Sequence, residues 1–79
     1  LIKAYRSQLE RTRDQQLQQA VRSLAHGHDP ERVLSRLAHD LTNKLAHDPL
    51  VAIREAGKQG DGELLAAMRR LIKVDAEEP

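Results

Sequence analysis

Cysteine, tryptophan and phenylalanine are absent from this 79-residue sequence, and Tyr5 is its one aromatic residue. Without cysteine there is no disulfide framework, no thiolate nucleophile and no cysteine-ligated zinc site. The same lack fits a reducing compartment, the cytoplasm. Without aromatic bulk the core must be aliphatic, drawn from twelve Leu, three Ile, four Val and Met68. No run of about 18 apolar residues exists, so the sequence holds no helical membrane span. No secretory signal pattern is visible. An excess of one charge is lacking too: 13 basic residues stand against 12 acidic ones, a net +1. A domain held to nucleic acid mainly by its field usually carries a clear basic excess.

Leu, Ala, Gln, Arg and Glu dominate the chain, and these favour helices. Strand-favouring Thr, Tyr, Phe and Trp are scarce. The expected class is all-α, in one domain. A chain this short buries only roughly 60% of its unfolded surface, so it is marginal alone. It opens at Leu1 directly in helix-like sequence, which reads as a piece of a longer protein.

Apolar spacing and turn signals divide the chain into four helical segments. Residues 1–25 form the first, with Ile2, Tyr5, Leu9, Leu17, Val21 and Leu24 as a thin stripe beside Ala20. Gly27 suits a left-handed helix end, and Asp29-Pro30 reads as a cap followed by a proline in the first turn. Residues 31–46 carry the clearest helical face: Val33, Leu34, Leu37, Ala38, Leu41, Leu45 and Ala46. Asp48-Pro49 repeats the start signal, so a break is expected there. A short third helix to Lys58 then places Leu50, Ile53 and Ala56 or Gly57 inward. Gly60 ends it, and Asp61 caps a fourth helix, 62–73, with Leu64, Leu65, Met68, Leu71 and Ile72 on one side. Residues 75–79 are acidic, lack apolar anchors and are expected to be disordered. The expected architecture is a helical bundle of one long and three shorter helices over residues 1–74, completed by dimerization.

Chemistry-bearing constellations are few. The histidines are His26, His28, His39 and His47. Metal centres need three or four ligands with support behind them, and this set does not supply that pattern. Helix-end and solvated roles suit these histidines better, with His47 favouring the negative end of a helix dipole. Gly60-Asp61-Gly62 lacks the lysine and preceding strand of a phosphate loop. The nine arginines mostly have acidic neighbours, such as Glu10 near Arg13, Asp14 near Arg11 and Glu55 near Arg54. No catalytic, cofactor-binding or metal-ligating residue is assigned. The surplus is apolar surface. Each buried Leu contributes roughly 1.5–3 kcal/mol, so a few anchors from each of two copies hold a dimer. The expected interface comprises Leu37, Leu41, Leu45, Leu65, Met68 and Leu71, with Asn43 and Lys44 beside them.

Several ordered motifs resemble the C-terminal dimerization domain of bacterial, proteobacterial-type glutamyl-tRNA reductases. Tyr5-Arg6-Ser7-Gln8 followed by Arg13-Asp14 is similar to the end of that family's long connecting helix. Leu41-Thr42-Asn43-Lys44-Leu45 with His47-x-Pro49 resembles its central motif. Ile53-Arg54-Glu55-Ala56, Gly60-Asp61, Leu64-Leu65 and Arg69-Arg70-Leu71 follow in the family's order. Ala46, Leu50 and the Ile72-Lys73-Val74 ending depart from its usual pattern. The resemblance implies a parent enzyme that reduces glutamyl-tRNA with NADPH to glutamate-1-semialdehyde, at the entry to tetrapyrrole biosynthesis. It implies a catalytic cysteine, a nucleotide-binding domain and tRNA contacts in other parts of that enzyme. It implies a homodimer for this domain, with no cofactor of its own and no membrane contact.

A free-standing helical adaptor or DNA-binding module is the alternative. A helix-turn-helix would need a short turn between Ala46 and Leu50 and a recognition helix over 49–58. That helix offers only Arg54 and Lys58 as basic groups.

Overall fold

A computed structural model describes residues 1–73. Its described residues form three helices and no strand. These are α1 (Ile2–Ala25), α2 (Pro30–Lys58) and α3 (Gly62–Ile72). The all-α expectation holds. The acidic tail falls outside the described residues.

The turn chemistry explains two of the boundaries. Gly27 and Gly60 adopt φ of 83° and 68°, in the left-handed region that only glycine enters without penalty. Past each glycine the next amide reaches back five residues, from His28 to the Ser23 carbonyl and from Asp61 to the Ala56 carbonyl. That six-to-one bond satisfies a carbonyl the ending helix leaves orphaned. Asp29 then accepts a hydrogen bond from the Arg32 amide at 3.2 Å, and Asp61 accepts one from the Leu64 amide at 3.0 Å. Both act as N-caps, as their positions suggest.

Asp48-Pro49 does not behave that way, and the four-helix expectation is corrected here. α2 runs without interruption from Pro30 to Lys58, with Pro49 inside it. Proline lacks the N–H that would bond the Leu45 carbonyl, at a typical cost of about 3 kcal/mol in a helix interior. The burial pattern around it is helical. Leu45, Pro49 and Ile53 are half-buried and Ala56 is fully buried, at steps of three and four. From Pro49 to Ile53 to Ala56 the burial keeps helical spacing past the proline.

Contacts group the chain into two compact units, Leu1–His47 and a second beginning at Asp48. The first is a helical hairpin. A four-residue connection, His26 to Asp29, joins α1 to the first half of α2, which makes the two antiparallel neighbours. Ala20 and Val33 are buried between them, with Leu9, Leu37, Leu41 and Leu45 half-buried. In the second unit Ala56 is buried, and Ile53, Leu65, Ala67 and Met68 are half-buried. Among the described residues the only buried side chains are Ala20, Val33 and Ala56. No helix among them is long and apolar enough to cross a membrane.

Candidate association surface

The hairpin of the first unit carries two open grooves between its helices. One, of about 500 Å3, is lined by Gln16, Gln19, Ser23, Arg32, Arg36 and Asp40 together with Ala20, Val33 and Leu37. The other, of about 300 Å3, is lined by Leu9, Leu41 and Leu45, with Arg6, Glu10 and Arg13 at its edge. Those three charges form a local network. Arg6 Nε lies 3.6 Å from Glu10, Arg13 lies 3.9 Å from Glu10, and Arg13 Nε donates to Asp14 Oδ1 at 2.9 Å. The hydrogen bond to Asp14 is the main cause that raises the Arg13 pKa above its usual value, joined by the charges of Asp14 and Glu10. Asp14 thus pairs with Arg13 rather than Arg11, and Glu55 pairs with Lys58 at 3.9 Å rather than with Arg54. All these groups are solvent-facing, so screening leaves each pair weak.

Two of the histidines make contacts within their own helices. His26 Nδ1 lies 2.7 Å from the Arg22 carbonyl at the end of α1, where it helps close the last turn. His39 Nε2 lies 3.1 Å from Asn43 Nδ2, one turn along α2. No cluster of three or more possible metal ligands occurs among the described residues. No buried side-chain polar atom lacks a hydrogen-bond partner there.

The expected anchors separate into two groups. Leu37, Leu41, Leu45, Leu65 and Met68 are half-buried by the protomer's own packing, so each is partly committed to the internal core. Leu71 is 82% exposed, while Asn43 and Lys44 are also open. Residues beyond that set carry as much free apolar surface. Leu17, Val21, Leu24, Leu34, Leu50 and Leu64 are large aliphatic side chains left open. The α1 leucines were legible as a stripe, but a stripe alone does not say which of its members the partner helix covers.

Among the described residues, all helix or turn, three side chains are buried and a dozen large apolar ones are open, the surface of an association module. The family model for the glutamyl-tRNA reductase dimerisation domain matches residues 1–74, and this chain belongs to that family. It is 44% identical over 77 residues to the glutamyl-tRNA reductase of Hahella chejuensis, covering 98% of this chain and 18% of that protein. It is 45% identical over 75 residues to the enzyme of Pseudomonas putida strain GB-1, covering 95% and 18%. With the Pseudomonas aeruginosa enzyme it shares 42% identity over all 79 residues, 19% of that protein. The chain thus spans less than a fifth of the length of these curated relatives. No solved structure matches it.

Proposed function

We propose that this domain joins two copies of a glutamyl-tRNA reductase into a homodimer. Membership of the dimerisation-domain family supports the reading, and the excess of open aliphatic surface over internal core is the observation that carries it. The anchors are Leu37, Leu41 and Leu45 on α2 and Leu65, Met68 and Leu71 on α3, with Asn43 and Lys44 setting register at the margin. Residues 1–74 act as one dimerization domain. The larger enzyme reduces glutamyl-tRNA with NADPH to glutamate-1-semialdehyde in tetrapyrrole biosynthesis, in the cytoplasm. Substrate and cofactor bind its other domains.

Light scattering on the 79-residue chain tests this directly. The expected mass is that of a dimer, and Leu71→Asp, at a side chain the protomer leaves open, shifts it toward monomer. A wild-type chain that stays monomeric at hundreds of micromolar overturns the proposal.

A further inference from the structure

Helix-weakening features gather in one stretch of α2, from Thr42 to Pro49. Pro49 offers no N–H to the Leu45 carbonyl, and a proline ring inside a helix presses on the carbonyl four residues back. Asp48 precedes it, a position that proline pushes away from helical backbone angles. Two turns earlier, Thr42 Oγ1 donates to the Ala38 carbonyl at 2.9 Å. A threonine hydroxyl that bonds back four residues weakens a helix slightly and often bends it. Thr42, Asn43, His47 and Asp48 are also weaker helix formers than the Leu, Ala, Arg and Glu common elsewhere in α2.

Side chains do not brace the stretch. The described ion pairs within α2 are Arg36–Asp40 at 3.7 Å and Glu55–Lys58 at 3.9 Å. They lie one on each side, and no described pair within α2 spans the gap. The chain divides at the same place. The first compact unit ends at His47 and the second begins at Asp48, directly before the proline. Each unit has a buried side chain of its own, Ala20 and Val33 in the first and Ala56 in the second. Packing inside either unit does not require α2 to be straight at Pro49. Sharp helix bends occur at proline, and domain hinges are a few positions that absorb a change of backbone angle.

We propose that α2 is a hinge at Asp48-Pro49, about which the two units turn as separate bodies while the helix on each side stays formed. The hinge gives the domain a set of angles rather than one, and a partner that touches both units selects among them. This motion belongs to a single chain, so it holds whether or not two copies pair.

Spin labels on introduced cysteines test it, since the chain has no cysteine of its own. Ser35→Cys with Arg54→Cys, both at exposed positions of α2, puts labels on opposite sides of the proline, about 28 Å apart along the helix. Arg11→Cys with Ser35→Cys, both exposed and both in the first unit, is the rigid reference. The labelled 79-residue chain is diluted into excess unlabelled chain, so pulsed dipolar spectroscopy reads distances within one molecule. The 35–54 distribution is expected to be wider than the reference, and Pro49→Ala is expected to narrow it to the reference width. Amide hydrogen exchange of the unsubstituted chain is the second readout. Leu50, Val51 and Ala52 donate to carbonyls on the far side of Pro49. Their protection is expected to be at least roughly tenfold lower than that of Leu37 and Ala56. A 35–54 distribution as narrow as the reference means that packing around the half-buried Pro49 holds the helix rigid, which overturns the hinge. Even protection along α2 overturns it as well. A wide distribution that Pro49→Ala leaves wide places the motion elsewhere and also overturns it. If Pro49→Ala fails to fold, the reference comparison and the exchange on the unsubstituted chain still decide.

Discussion

The Asp61 carboxylate accepts the backbone N–H of Leu64 at 3.0 Å, and this bond sets the first turn of α3. Asp29 does the same for the Arg32 amide at 3.2 Å. Asp48 carries the same sequence signature but sits inside α2, where the early amides of a new helix do not exist. Asp61→Ala and Asp29→Ala should therefore each cost about 0.5–2 kcal/mol, and Asp48→Ala clearly less. Chemical denaturation of the three variants decides. An equal loss at Asp48 would mean that α2 breaks there in solution.

Pro49 leaves the Leu45 carbonyl without its helical donor. Pro49→Ala restores that donor and should raise stability, by up to about 3 kcal/mol if the backbone near the proline is otherwise regular. Thermal unfolding followed at 222 nm, the helical band, reads it out. A lower melting temperature would show that the half-buried proline ring contributes more by packing than it costs in hydrogen bonding.

Two glycines should respond oppositely to alanine. Gly60 has φ of 68°, a conformation costing a residue with a Cβ roughly 1–2 kcal/mol. Gly57 is helical, and a Cβ built there meets nothing within 4 Å. Gly60→Ala should destabilise the chain, and Gly57→Ala should stabilise it by about 0.4–1 kcal/mol through lost freedom of the unfolded state. Urea midpoints of the two variants, moving in opposite directions, are the expected result.

The Arg13 pKa is raised, chiefly by its hydrogen bond to Asp14. A cation whose folded pKa is raised contributes stability that is fully present below its unfolded pKa and is lost only as pH climbs through the folded value. Both lie far above neutrality. The difference in melting temperature between wild type and Arg13→Gln should therefore stay constant from about pH 6 to about pH 9. A slope across that range would point to a coupled group other than Asp14 and Glu10.

Without cysteine or a dinucleotide-binding pattern, this chain should neither bind NADPH nor reduce glutamyl-tRNA by itself. Calorimetry with NADPH at micromolar chain is expected to give no heat of saturation. Saturable binding would place cofactor contacts in this domain.

Residue chemistry acting over a few neighbours was readable from the sequence alone. Composition determined the helical class, because propensity sums over long windows. Gly27, Asp29, Gly60 and Asp61 marked their turns and caps, since each of those bonds closes within about five residues. The ordered motifs from Tyr5 to Leu71 pointed to the family that the comparisons then showed. Tertiary structure decided what depends on distant neighbours. Pro49 stays inside a helix although Asp48-Pro49 is a local start signal, and burial at Ile53 and Ala56 keeps helical spacing past it. The seven apolar residues of the α2 face look alike by spacing, yet Val33 is buried and Leu34 is 60% open. A helical stripe more than 100° wide can be only partly covered by one neighbouring helix, and which edge is covered depends on where that helix lies. That placement, absent from any local pattern, separates the side of α2 that α1 closes from the side it leaves open.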